Sequence, residues 1–141
     1  MPESTLPVSF LFRITLETDG APAMAPSGPQ GTRLLIGVRG GRFEGPRLAG
    51  TVVPPGGDWA TQRPDGSIKL DVRLTLRTED DAVILVTYNG IGVVEDGQLK
   101  ARSAPLFETG DERYAWLNHV QAVGIGGLEG TSVAYDVYAL L

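Results

Sequence analysis

One stretch sets the rhythm of the chain. In "GSIKLDVRLTLRTED" (66–80), Ile68, Leu70, Val72, Leu74 and Leu76 alternate with Lys69, Asp71, Arg73, Thr75 and Arg77. A period of two belongs to an extended strand, whose side chains point to opposite faces in turn. "VSFLFRITLET" (8–18) repeats it, with Phe10, Phe12, Ile14 and Leu16 on one side and Ser9, Arg13, Thr15 and Glu17 on the other, broken only at Leu11. "TRLLIGVRGGRFEG" (32–45) predicts a second strand ending at Gly40 and Gly41. "GPRLAGTVVPPGGDW" (45–59) predicts a third that stops at Pro54 and Pro55. "AVILVTYNGIGVV" (82–94) is apolar almost throughout, which fits a strand covered on both faces or one bulged near Gly90 and Gly92. "EDG" (95–97) then reads as a hairpin turn. "QLKARSAPLFE" (98–108), "RYAWLNHVQAVGIGGLEG" (113–130) and "SVAYDVYALL" (132–141) complete the set, with a helical turn expected only within 113–121.

The 19 glycines and 10 prolines cut the chain into segments too short for most helices. The expectation is an all-β chain with one domain spanning 1–141, and 19–31, rich in Pro, Gly and Ala, as a flexible loop. About eight or nine short antiparallel strands remove their exposed edges by closing, so a closed or nearly closed antiparallel β-barrel is predicted, with room for one small ligand. The hydrophobic share of 42% and charged share of 21% are those of an ordinary globular domain. No apolar run approaches the roughly 20 residues that span a bilayer, and the N-terminus lacks the layout of a signal peptide. A cytoplasmic protein without a membrane partner is expected. The net charge of -5 and the scattered 12 Lys and Arg argue against nucleic acid. Without cysteine and with one histidine, His119, thiolate and multi-histidine metal sites are excluded within the chain, and no EF-hand loop appears. Neither a metal nor a cofactor is expected.

Four constellations carry candidate chemistry. In "PPGGDW" (54–59), Gly56 and Gly57 present Asp58 and Trp59 at a strand end, where a carboxyl beside an aromatic wall becomes a usable acid or base as burial raises its pKa. The same residues also suit a tight turn with an Asx hydrogen bond and a packed Trp. Asp71 and Arg73, two apart, share one face of their strand. They are a functional pair if that face lines a lumen, and ordinary solvated charges if it does not. If 113–119 is extended, Tyr114, Trp116 and Asn118 share a face opposite His119, as a ligand wall or as a structural aromatic pair. "GIGGLEG" (124–130) lacks the Gly-Lys-Ser/Thr ending and the helix of a phosphate loop, and reads as a hairpin or bulge. No Gly-x-Ser-x-Gly elbow is present.

Together, "GPRLAGTVVPPGGDW", "RPDGSIKLDVRLTLRTEDDAVILVTYNG" and "PLFETGDERYAWLNHVQAVG" resemble, in order and spacing, the bacterial and fungal proteins of domain-of-unknown-function family 3237, from about residue 8 to the end. The resemblance implies a small calycin-type barrel, lipocalin-like in outline, and does not imply a reaction. Arg47, Asp58, Trp59, Asp71, Arg73, Tyr88, Tyr114, Trp116 and Asn118 fall on the family's motifs. A shared lumen then brings together Asp58, Asp71, Arg73, Tyr88, Trp116 and Asn118, with the polar face of 69–77 turned inward. The apolar face would turn outward against a neighbouring subunit, which predicts a homo-oligomer.

The function expected is that of a cofactor-independent small-molecule enzyme. Asp58 or Asp71 would act as acid or base and Arg73 as anion clamp, with Arg47, Trp59, Tyr88, Tyr114, Trp116 and Asn118 binding the ligand. Isomerase, hydratase, lyase, cyclase or lactone chemistry on a carbonyl-bearing or aromatic compound fits such a set. The alternative is a lipocalin-like carrier of an apolar or aromatic ligand. A carboxylate inside the barrel with hydrogen-bond reach to a neighbour separates the enzyme from the carrier.

Overall fold

The alternation of 66–80 becomes one stave of a barrel in a computed structural model that describes residues 2–20 and 23–141. The elements are β1 (Val8–Thr18), β2 (Ala23–Gly28), β3 (Gly31–Glu44), β4 (Ala49–Gln62), β5 (Ile68–Thr78), β6 (Val83–Glu95), β7 (Gln98–Ser103), β8 (Leu106–Glu108), a 3₁₀ helix (Glu112–His119), β9 (Ala122–Glu129) and β10 (Ser132–Leu140). All ten strands join one antiparallel sheet. Eight of them close on themselves in the order β1, β10, β9, β7, β6, β5, β4, β3 and back to β1. The other two are additions at the seam and the wall: β2 extends along β3, and β8 along β6.

The face of β5 decides what the barrel contains. Leu70, Val72, Leu74 and Leu76 are buried while Lys69, Arg73 and Arg77 are exposed, so the apolar face points inward. This reverses the expectation that the polar face lines the lumen. A barrel of eight strands is just wide enough for side chains to fill, and each fully buried aliphatic side chain contributes about 1.5–3 kcal/mol, so the interior takes the apolar face. The argument for a homo-oligomer from an exposed apolar face of β5 loses its premise. Phe12, Leu74, Leu76, Ile84 and Leu117 are the largest wholly buried side chains, and Phe12 meets Phe43 and Phe107 edge-on with centroids 5.6 and 6.0 Å apart.

Four boundaries differ from the sequence reading, the first being the strand expected to end at Gly40 and Gly41, which runs on to Glu44. The third strand does not stop at Pro54 and Pro55 but runs on to Gln62, with the register to β5 shifting between Val53 and Gly57. Prolines have no N–H for the ladder, so the strand bulges there and resumes. The expected loop 19–31 contains β2, paired to β3 from Ala23↔Leu34 to Gly28↔Gly31, while residues 21 and 22 lie outside the described residues. Residues 113–119 are helical, not extended. The turn at 95–97 is as expected: Glu95 pairs with Gln98 across Asp96 and Gly97, both at positive φ (52° and 75°), the Asp-Gly hairpin that suits the twist of the strands.

The 3₁₀ helix lies at the barrel end that holds the β3–β4 and β5–β6 turns. Leu117 plugs that end with no exposed surface, Tyr114 donates its hydroxyl hydrogen to Asp80 Oδ1 at 2.7 Å in the β5–β6 turn, and Asp111 caps the helix by accepting from the Arg113 N–H at 3.0 Å. The opposite end holds the β4–β5 and β6–β7 turns. Among the described residues, no helix is long and apolar enough to cross a membrane.

Candidate functional site

Residues directly opposite one another in a ladder share a face. Asp58 on β4 lies opposite Val72, and Val72 opposite Tyr88, both buried in the core. The Asp58 carboxyl therefore points into the barrel, half-buried, at the level of Tyr88 and Tyr135. The two tyrosine rings meet edge-on, centroids 5.8 Å apart and planes at 68°. Tyr135 comes from β10, where it faces Ile14 of β1 on one side and Gly126 of β9 on the other.

The electrostatics of this group are set by burial. Loss of solvent raises the Asp58 carboxyl above its ordinary value. The Asp71 backbone N–H, donating to Oδ1 at 2.9 Å, works the other way, and the Asp71 charge adds to the rise. Oδ2 has no hydrogen-bond donor among the described residues. Burial likewise raises both tyrosines: Tyr135, with the Asp58 charge adding to it, is pushed up to about 12, and Tyr88, buried in the core with Tyr135 and then Asp58 adding to the rise, stands well above the usual phenol. Both hydroxyls are therefore neutral donors at physiological pH, beside a carboxyl with one free oxygen. Behind the pair lies a slot lined by Phe12, Ile14, Leu74, Val86, Ser103 and Pro105, with about 10 Å³ open to a water centre, room for about one water.

The other sequence candidates lie elsewhere. Asp71 and Arg73 point outward on β5, because their neighbours Leu70, Val72 and Leu74 fill the interior, and they share no lumen with Asp58. Asp71 touches the site only through its backbone. Trp59 also points outward, 41% exposed and lying over Gly57, with the Arg73 guanidinium 5.6 Å from its ring. The remaining candidates form the closed end. Arg47 stacks on Trp116 at 3.6 Å. Asn118 clamps Thr109 at both backbone atoms, accepting from its N–H at 2.8 Å and donating to its carbonyl at 3.0 Å. These bonds and the Tyr114–Asp80 bond satisfy the polar atoms they use. Tyr114, Trp116 and Asn118 are thus not one wall of a lumen, since the helix turns them in different directions. Of the expected lumen set, the structure brings together Asp58 and Tyr88.

Tyr135 and Ser103 were missed. Both sit at inward positions of alternating strands, "SVAYDVYALL" and "QLKARS", so the period of two that puts Val133, Tyr135, Val137 and Ala139 on one face and Leu99, Ala101 and Ser103 on another was the available signal.

A family model described as "Protein of unknown function (DUF3237)" matches residues 6–140. The chain belongs to the DUF3237 family. Among its relatives, a UPF0311 protein of Rhodopseudomonas palustris (strain TIE-1) is 32% identical over 151 residues, covering 97% of this chain and 98% of that protein. A protein of Penicillium herquei named hydroalkoxylation enzyme phnH is 35% identical over 118 residues, covering 83% of this chain and 72% of that protein. Among solved structures, a β-barrel-like protein from Acinetobacter baumannii AYE superposes with a TM-score of 0.91 at 25% identity, covering 99% of each chain. This DUF3237 chain is thus a barrel and superposes on a β-barrel-like neighbour.

Proposed function

We propose that this DUF3237 chain is an acid/base enzyme that adds an O–H group across a carbon–carbon double bond conjugated to a carbonyl, or reverses that addition, with Asp58 as proton carrier. The observation that carries the reading is the Asp58 carboxyl, inside the barrel with a raised pKa and one free oxygen beside two neutral phenols. Perturbed titratable groups cluster where acid/base work is done. The P. herquei relative's name, hydroalkoxylation enzyme, denotes addition of an O–H group across a carbon–carbon double bond and supports that bond-forming step.

The steps balance without a further reactant. Asp58 carboxylate takes the proton of a substrate hydroxyl, and the oxygen forms a C–O bond as the π pair moves to the carbonyl oxygen. A Tyr88 or Tyr135 hydroxyl donates a hydrogen bond to the enolate so formed. The Asp58 carboxylic acid then returns its proton to the neighbouring carbon, making the C–H bond. General acid/base catalysis of this kind contributes about 10²–10⁴-fold. A lipocalin-like carrier fits less well, because a carrier needs a mostly apolar lumen with polar groups at the rim, whereas Asp58 turns into the barrel and accepts a hydrogen bond there.

The test uses a phenol bearing an ortho-alkenyl ketone, followed by NMR in D₂O. The wild-type chain is expected to close the ring and place deuterium on the carbon next to the carbonyl. Asp58→Asn is expected to slow this by about 10²–10⁴-fold. Ring closure at an equal rate in Asp58→Asn would remove Asp58 from the chemistry.

A further inference from the structure

The outer face of β5, β6 and β8 departs from the rule that outward positions of a filled barrel are polar. Trp59, Val83, Leu85 and Leu106 keep 41%, 50%, 40% and 51% of their surface exposed. Two shallow depressions meet at Leu85, one of about 350 Å³ that includes Leu35, Trp59 and Arg73, the other of about 300 Å³ that includes Leu106 and Glu108. The charges stand at opposite margins. Arg73 lies opposite Thr87 and Thr75 opposite Leu85, while Glu108 of β8 lies opposite Leu85. Two strand spacings, about 10 Å, therefore separate the two margins. Among the described residues, neither Arg73 nor Glu108 forms an ion pair, whereas Arg13, Arg77 and Arg113 do.

We propose that a second copy of this chain covers this face in a two-fold dimer, with Arg73 of each copy paired to Glu108 of the other. A two-fold axis lying in the interface near Leu85 and Thr87 exchanges the two margins, so one patch satisfies itself twice, as an isologous contact requires. Leu85 then packs against its own counterpart, and the apolar strip is covered. A small anionic ligand on Trp59 fits the face less well: the strip continues past the Arg73 depression to Leu106, where Glu108 repels the anion that Arg73 attracts. The inference does not depend on the chemistry at Asp58.

Sedimentation velocity tests it. The wild-type chain at micromolar concentration is expected to run as a dimer and Leu85→Glu as a monomer, with Leu106→Lys as the alternative if Leu85→Glu does not fold. Arg73→Glu and Glu108→Arg should each weaken association by about tenfold or more, and the two together should restore it. All four side chains point away from the core, and circular dichroism with a melting curve verifies that each variant is folded. A monomeric wild-type chain, a dimer indifferent to these changes, or a doubly reversed variant no tighter than the singles overturns the proposal.

Discussion

Asp58 keeps one oxygen on the Asp71 N–H and leaves the other free, and its charge acts on two enclosed phenols. Its effect on stability has a definite sign. The folded chain raises this carboxyl mainly by burial, so the protonated form suits the fold. The stability it lends is complete below the ordinary carboxyl pKa and is lost as pH rises through the folded value. Asp58→Asn, which keeps an acceptor for the Asp71 N–H, is therefore expected to raise the melting temperature at neutral pH and to lose that advantage in acid, even as it slows turnover. Tyr135→Phe removes one donor from the developing enolate, and kcat/KM for the probe should fall by about 10²–10³-fold. The Gly-Gly-Asp-Trp run drew attention to Asp58 in the sequence because a carboxyl there is an unusual choice, although the run lies within β4 and not at its end. Tyr135 was not legible, because an inward tyrosine in an alternating strand reads like any other core aromatic until its neighbours across the barrel are known.

At the scale of elements, strand alternation was readable and its direction was not. The period of β5 shows two faces of opposite character, and only the width of the closed barrel decides that the apolar one goes inside. The 3₁₀ helix was hidden for another reason. Its aromatic and polar residues alternate as a strand's would, but Tyr114 and Leu117, three apart, are its buried members, and three residues make one 3₁₀ turn. That spacing, with Asp111 as cap, was the signal present. Because Asn118 ties the helix to Thr109 by two bonds, Asn118→Ala should cost about 1–3 kcal/mol in denaturant unfolding. Leu117→Ala, which empties the plug, should cost about 2–5 kcal/mol.

For the whole molecule, the all-β class and the closed barrel followed from short alternating segments and the need to hide edges. The seam that closes it shows which forces hold. Arg13 of β1 bridges to Asp136 of β10 at 3.0 Å and to Glu129 of β9, but these side chains are largely exposed, and surface pairs contribute about 0–1 kcal/mol. Arg13→Ala should therefore barely move the unfolding midpoint, whereas Phe12→Ala, one residue away and facing inward, should cost about 3–5 kcal/mol. The same seam joins positions 123 residues apart in Arg13 and Asp136, so the barrel cannot shut until its final strand has left the ribosome. Until then β1, whose one edge can already pair with β3, waits with its other edge open. Synthesis, more than the finished architecture, is where this chain is most exposed to chaperones and to aggregation.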